Sequence, residues 1–103
     1  YAKAKPIFVD ICEDGIIDLD ICEEKLKKDN SIKAIFAVSF SGKILNQNKL
    51  KYLKLKYDIK ILEDNAHTLG AKLTYSDISV FSFHPIKHIT TGEGGAVLTN
   101  DKG

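Results

Sequence analysis

Short apolar runs rich in branched residues alternate with two helix-period stretches along this chain. That alternation limits its folds more sharply than any other feature. Pro6 to Ile11 (PIFVDI) is predicted as a buried strand bounded by Lys and Glu. A helix is predicted over 21–29, with Asp20 as N-cap and Glu23 reaching back in a capping box. Cys22 and Leu26 share one of its faces, and Glu23–Lys27 and Glu24–Lys28 form i,i+4 pairs on the other. Lys33 to Ser39 (KAIFAVS) reads as a second strand, ended by Ser41-Gly42. Residues 47–57 read as a second helix, with Leu50, Leu53 and Tyr57 on one stripe and lysines beside it. Ile59 to Glu63, Asp77 to His84 and Gly95 to Thr99 complete the predicted strands. Both faces of 77–84 are largely apolar, as in a strand covered on both sides.

Strand, helix, strand, helix, strand is the order of an α/β fold with a mostly parallel sheet flanked by helices. Such sheets bind ligands beyond the carboxyl ends of their strands. Three segments fall there: Ser39–Gly42, Asp64–His67 and His84–Lys87.

Composition narrows the function. Residues 31–62 hold seven Lys and one acid, whereas 1–30 hold five Lys and eight acids. All fifteen cations are Lys, and the absence of Arg forks weighs against a nucleic-acid partner. Lys49, Lys51, Lys54, Lys56 and Lys60 read as a solvated helix face. Apolar stretches are too short to span a membrane as a helix. Cys12 and Cys22 read as reduced cytosolic thiols acting as small apolar residues, and a cytoplasmic location is expected. His67, His84 and His88 do not form a usual zinc spacing, so no metal is expected. No Met is present and the chain opens inside a strand-like run; a piece of a larger protein is expected.

Asp64 stands just past a buried apolar strand, where an unpaired carboxylate is costly, so a cationic partner is expected. The plainer reading is an ordinary helix N-cap. His67 follows three residues later and projects to the same side if a helix starts there. Lys87 follows an apolar strand and Pro85, and precedes Gly92-Glu93-Gly94-Gly95. A lysine in an apolar setting, beside glycines that let another group approach, can form a Schiff base. Taken alone, Lys87 is better explained as a loop lysine in water.

The order of these residues is more specific than any one of them. Glu63-Asp64-Asn65-Ala66-His67, then Ser82-Phe83-His84-Pro85-Ile86-Lys87, then Gly92-Glu93-Gly94-Gly95 closely resembles the DegT/DnrJ/StrS family. These are fold-type I, aspartate aminotransferase-like, pyridoxal-phosphate-dependent sugar aminotransferases. The resemblance runs through the whole chain. Tyr1–Ile11 looks like the family's early strand, Ser39–Gly42 like its loop ending in Gly, and DISVFSFHPIKHITTGEGGAVLTND like its lysine segment. It implies that 1–103 is a central fragment of the large domain that binds pyridoxal 5'-phosphate. An N-terminal segment and a C-terminal small domain would then lie outside it.

By the same resemblance, Lys87 is the Schiff-base lysine and proton shuttle, and Asp64 bonds the pyridine nitrogen. His67 lies near the cofactor's phenolic oxygen, and Ser82 donates to its phosphate. The wording SFHPIKHITTGEGG is most like members acting on a UDP-linked 4-keto-6-deoxy amino sugar. The implied reaction is transamination of such a nucleotide-linked sugar for a cell-surface or flagellar glycan, with L-glutamate as amino donor. A homodimer is implied for the full-length protein, and the fragment alone is expected to be inactive. Ser39 departs from the family, whose members often carry His there, and His84 and His88 vary; none receives a role. Two other readings stay open: a non-transaminating or regulatory relative that binds the cofactor, and a cofactor-free α/β binding module. The module would carry its Gly-rich turn after the first strand, whereas here the glycines follow Lys87.

Overall fold

Asp18 and Asn46, two short polar side chains, start the two helices. A computed structural model of the chain describes residues 3–72 and 75–101. Asp18 accepts hydrogen bonds from the Asp20 and Ile21 amides at 2.8 and 3.0 Å, opening α1 over Leu19–Lys28. The cap is therefore Asp18 rather than Asp20, and Glu23 makes no capping box. Asn46 accepts from the Lys49 amide at 3.0 Å and opens α2 over Gln47–Tyr57, as the sequence indicates.

The strands are β1 (Ala34–Val38), β2 (Lys60–Asp64), β3 (Ile78–Ser82) and β4 (Gly95–Thr99). They lie in the order β1-β2-β3-β4; the first three are parallel and β4 is antiparallel to β3. Ile35 and Ala37 of β1, Ile61 of β2, Leu19, Cys22 and Leu26 of α1, and Leu50 and Leu53 of α2 form the core. Period-two alternation puts Phe36 and Val38 on the opposite face of the sheet, where they are exposed.

Pro6–Ile11 is not a strand: it lies apart from the sheet, and only Ile11 bridges, to Ile17. Without a ladder to join, Phe8 and Ile11 stay exposed. Tyr1 and Ala2, which begin the segment likened to an early family strand, lie outside the described residues. β3 is shorter than expected and only half-buried except at Ser79, so among the described residues it is not covered on both faces. Cys22 is buried, and burial pushes its thiol up to about 11. Cys12 is exposed, so it does not serve as a buried apolar residue.

The lysine-rich face of α2 is not simply solvated. Lys49 and Lys56 donate to the buried Glu23 carboxylate at 2.7 and 3.0 Å, and Tyr52 and Tyr57 add hydroxyls at 2.9 and 3.1 Å. Glu23 thus faces α2, and its contact with Lys27 is a longer 3.6 Å. Lys54 and Lys60 pair with Asp77 at 3.0 and 3.4 Å, and Lys51 sits over the Tyr75 ring. Burial pushes the Asp77 carboxyl up, but the Ile61 amide and Lys54 outweigh it and hold it below the usual range.

Candidate functional site

Because β1, β2 and β3 run parallel, their carboxyl ends open on one edge. The register sets Val38 beside Asp64 and Asp64 beside Val80. The Ser39 amide donates to the Asp64 carbonyl at 2.9 Å, and the Asn65 amide to the Val80 carbonyl at 2.8 Å. These bonds carry the ladder past the strand ends and anchor the loops that follow.

Asp64 closes β2 half-buried, and its Oδ1 accepts from the Ala66 amide at 2.9 Å. A turn follows rather than a helix, so the carboxylate caps an Asx turn. Among the described residues no cation pairs with Asp64, and its other oxygen has no hydrogen bond; the expected cationic partner is not supplied by this chain's described residues. His67 sits half-buried beyond that turn, its ring 5.5 Å from the Phe40 ring. The Ser41 amide donates to His67 Nδ1 at 3.4 Å, which ties the β1 loop to the β2 loop.

Pro85 fixes the turn that follows β3, and the Lys87 amide closes it on the His84 carbonyl at 2.9 Å. Lys87, half-buried, meets His67 across a cleft of about 280 Å³ that Ile86 and His88 also line. Asp64 and Ser82 lie outside that lining. They share one face of the sheet, because Ser82 stands two residues beyond Val80, the register partner of Asp64. Ser82 Oγ accepts from the His84 amide at 3.3 Å, which leaves its own proton free to donate. The four expected site residues thus fall at one edge of the sheet, with His67 and Lys87 lining the same cleft.

The glycines after Lys87 serve the loop itself. A Cβ on Gly94 would lie 2.4 Å from Thr91 Oγ1, and one on Gly95 would lie 2.6 Å from the Phe81 carbonyl. They admit backbone and side chain of the same segment, where the sequence suggested room for another group. Phe83 holds both ends of this loop: its amide donates to Gly94 and its carbonyl accepts from Thr91. Phe40, Ser41 and His88 take part in the site although sequence reasoning gave them no role. Phe40 and Ser41 lie in the Ser39–Gly42 segment that the strand-end rule indicates, but the sequence singles out neither of them. His88, adjoining Lys87, carried no separate signal. Ser39 Oγ and Asn65 Nδ2, both buried, have no partner among the described residues. Such orphans are rare, and both fall beside the carboxyl ends of β1 and β2.

The sequence profile of the DegT/DnrJ/EryC1/StrS aminotransferase family matches residues 1–103. The chain belongs to that family. It is 42% identical to the UDP-4-amino-4,6-dideoxy-N-acetyl-beta-L-altrosamine transaminase of Campylobacter jejuni strain 81-176, with 98% of the chain aligned. It is 37% identical to the GDP-perosamine synthase of Escherichia coli O157:H7 over 99% of its length. Its fold superposes with a TM-score of 0.86 on Helicobacter pylori PseC, an aminotransferase involved in the biosynthesis of pseudoaminic acid. That structure is 38% identical, and the match covers 95% of this chain and 28% of PseC. The chain spans 29% of the length of either curated relative. An α/β fold built on a mostly parallel sheet is therefore common to this chain and to an aminotransferase of the family.

Proposed function

We propose that this chain is the central part of the large, cofactor-binding domain of a pyridoxal-phosphate-dependent sugar aminotransferase. The segments completing that domain, and a C-terminal small domain, would lie outside residues 1–103. The observation that carries the proposal is the meeting of Lys87 and His67 in one cleft, with the Asp64 carboxylate, which no cation pairs among the described residues, at the next strand end.

The donor set fits the cofactor. A primary amine suits an aldehyde, a flat imidazole suits a ring, an unpaired carboxylate suits a ring nitrogen, and a free hydroxyl proton suits a phosphate. When bound, the group acts as an electron sink for the pair left by deprotonation at the amino-bearing carbon. Lys87 would hold the group through its Nζ and would carry the proton between the substrate and cofactor carbons. Asp64 would keep the ring nitrogen protonated by its negative charge. His67 would lie beside the phenolic oxygen, and Ser82 Oγ would donate to the phosphate.

The amino donor is L-glutamate and the acceptor a nucleotide-linked 4-keto-6-deoxy amino sugar, in a glycan-precursor pathway and in a homodimeric, cytoplasmic enzyme. The names of the UDP- and GDP-sugar relatives support a nucleotide sugar. No helix of the described residues is long and apolar enough to cross a membrane. The test is glutamate-dependent amination by the full-length protein, assayed with a panel of UDP- and GDP-linked keto sugars. Amination of at least one is expected; cofactor binding with no amination of any would overturn the proposal.

A further inference from the structure

The loop after β1 reaches His67 with two kinds of contact. Phe40 sets its ring 5.5 Å from the imidazole, at an interplanar angle of 42°. Ser41 places its amide 3.4 Å from Nδ1, and does so at a φ of 52°, in the left-handed region that a serine seldom occupies. Strained backbone of this kind persists where the surroundings over-determine it.

A backbone N–H can only donate. Nδ1 must therefore accept, and the neutral ring must carry its proton on Nε2. Nδ1 is thereby spent within the protein, and among the described residues Nε2 has no partner. From these contacts we infer that Phe40 and Ser41 are positioning residues that fix His67 as its Nε2–H tautomer. His67 then meets a ligand in the Lys87 cleft as a hydrogen-bond donor and not as a base. The ligand atom facing it must be an acceptor, such as an anionic or carbonyl oxygen. The inference rests on the proposed cofactor site only for what fills the cleft; the tautomer follows from this chain alone.

The test is nitrogen-detected NMR of histidine-labelled full-length protein, first free of cofactor and then loaded. A pyridine-like Nδ1, a protonated Nε2 and a coupling across the hydrogen bond from the Ser41 amide to Nδ1 are expected. Ser41→Gly keeps the amide and accepts positive φ, so the coupling should persist. Ser41→Pro removes the N–H, so the coupling should vanish and the Nδ1–H form should appear. A protonated Nδ1 in the unsubstituted protein, or no coupling there, overturns the inference even if Ser41→Pro fails to fold. The outcomes separate from those of the functional proposal. A fixed tautomer in a protein that never binds the cofactor defeats only the latter, and a bound cofactor beside a freely exchanging tautomer defeats only the former.

Discussion

Asp64 and Lys87 divide the proposed chemistry between charge and nucleophile, and the charge is the easier of the two to isolate. Asn keeps the shape of Asp64 and the oxygen that the Ala66 amide uses, so Asp64→Asn should fold normally. It cannot hold a proton on a ring nitrogen by charge, and the loss of such a partner at a reacting centre commonly costs about 10²-fold or more. Turnover of the full-length variant should therefore fall by at least that factor with its melting temperature unchanged. Turnover near that of the unsubstituted protein would remove Asp64 from the site.

At the scale of elements, Glu23 clamps α1 to α2. Hydrogen bonds from Lys49 and Lys56 hold its carboxyl well below the usual carboxylate range, against the opposing pull of burial. A group depressed in the folded state contributes stability that is complete above its unfolded value. That stability drains away as pH falls toward the folded one. The melting temperatures of the unsubstituted chain and Glu23→Gln should thus differ most near neutral pH. The gap should begin to narrow below about pH 4.3, where an unfolded glutamate protonates, and go on narrowing toward the depressed folded value. A gap that stayed constant with pH would show that the clamp is not ionic. This clamp also marks where sequence reasoning stops. The stripe of Leu50 and Leu53 gave α2 its bounds, and branched runs gave β1, β2 and β4 within a residue or two. Those are local signals. Glu23 pairs with residues 26 to 34 positions away, and no i,i+4 pattern carries that information. Pro6–Ile11 failed for the same reason, since apolar residues describe a strand only where a neighbour completes the ladder. Asp64, His67, Ser82 and Lys87 were legible as an ordered motif, whereas the Ser41–His67 contact depends on two loops meeting.

For the whole molecule, α1 and α2 cover one side of the sheet only. Phe36, Val38 and Val97 leave an apolar face in solvent, and apolar surface of this kind marks an interface or an aggregation hazard. Residues 1–103 expressed alone are expected to self-associate, to bind pyridoxal phosphate weakly and to lack transamination. Ordering the loops around a ligand costs roughly 1–2 kcal/mol per fixed residue, and one wall of a site offers little to offset it. Tight stoichiometric binding with turnover by the isolated chain would show that the site is complete within it. The central claim, that Lys87 holds the cofactor at this strand edge, has a direct test in the full-length protein. Borohydride reduction of the loaded enzyme, followed by peptide mass mapping, should place a single pyridoxyl group on Lys87, and Lys87→Ala should abolish it together with the visible absorbance. A pyridoxyl group on another lysine, or a reducible band surviving in Lys87→Ala, would contradict the account.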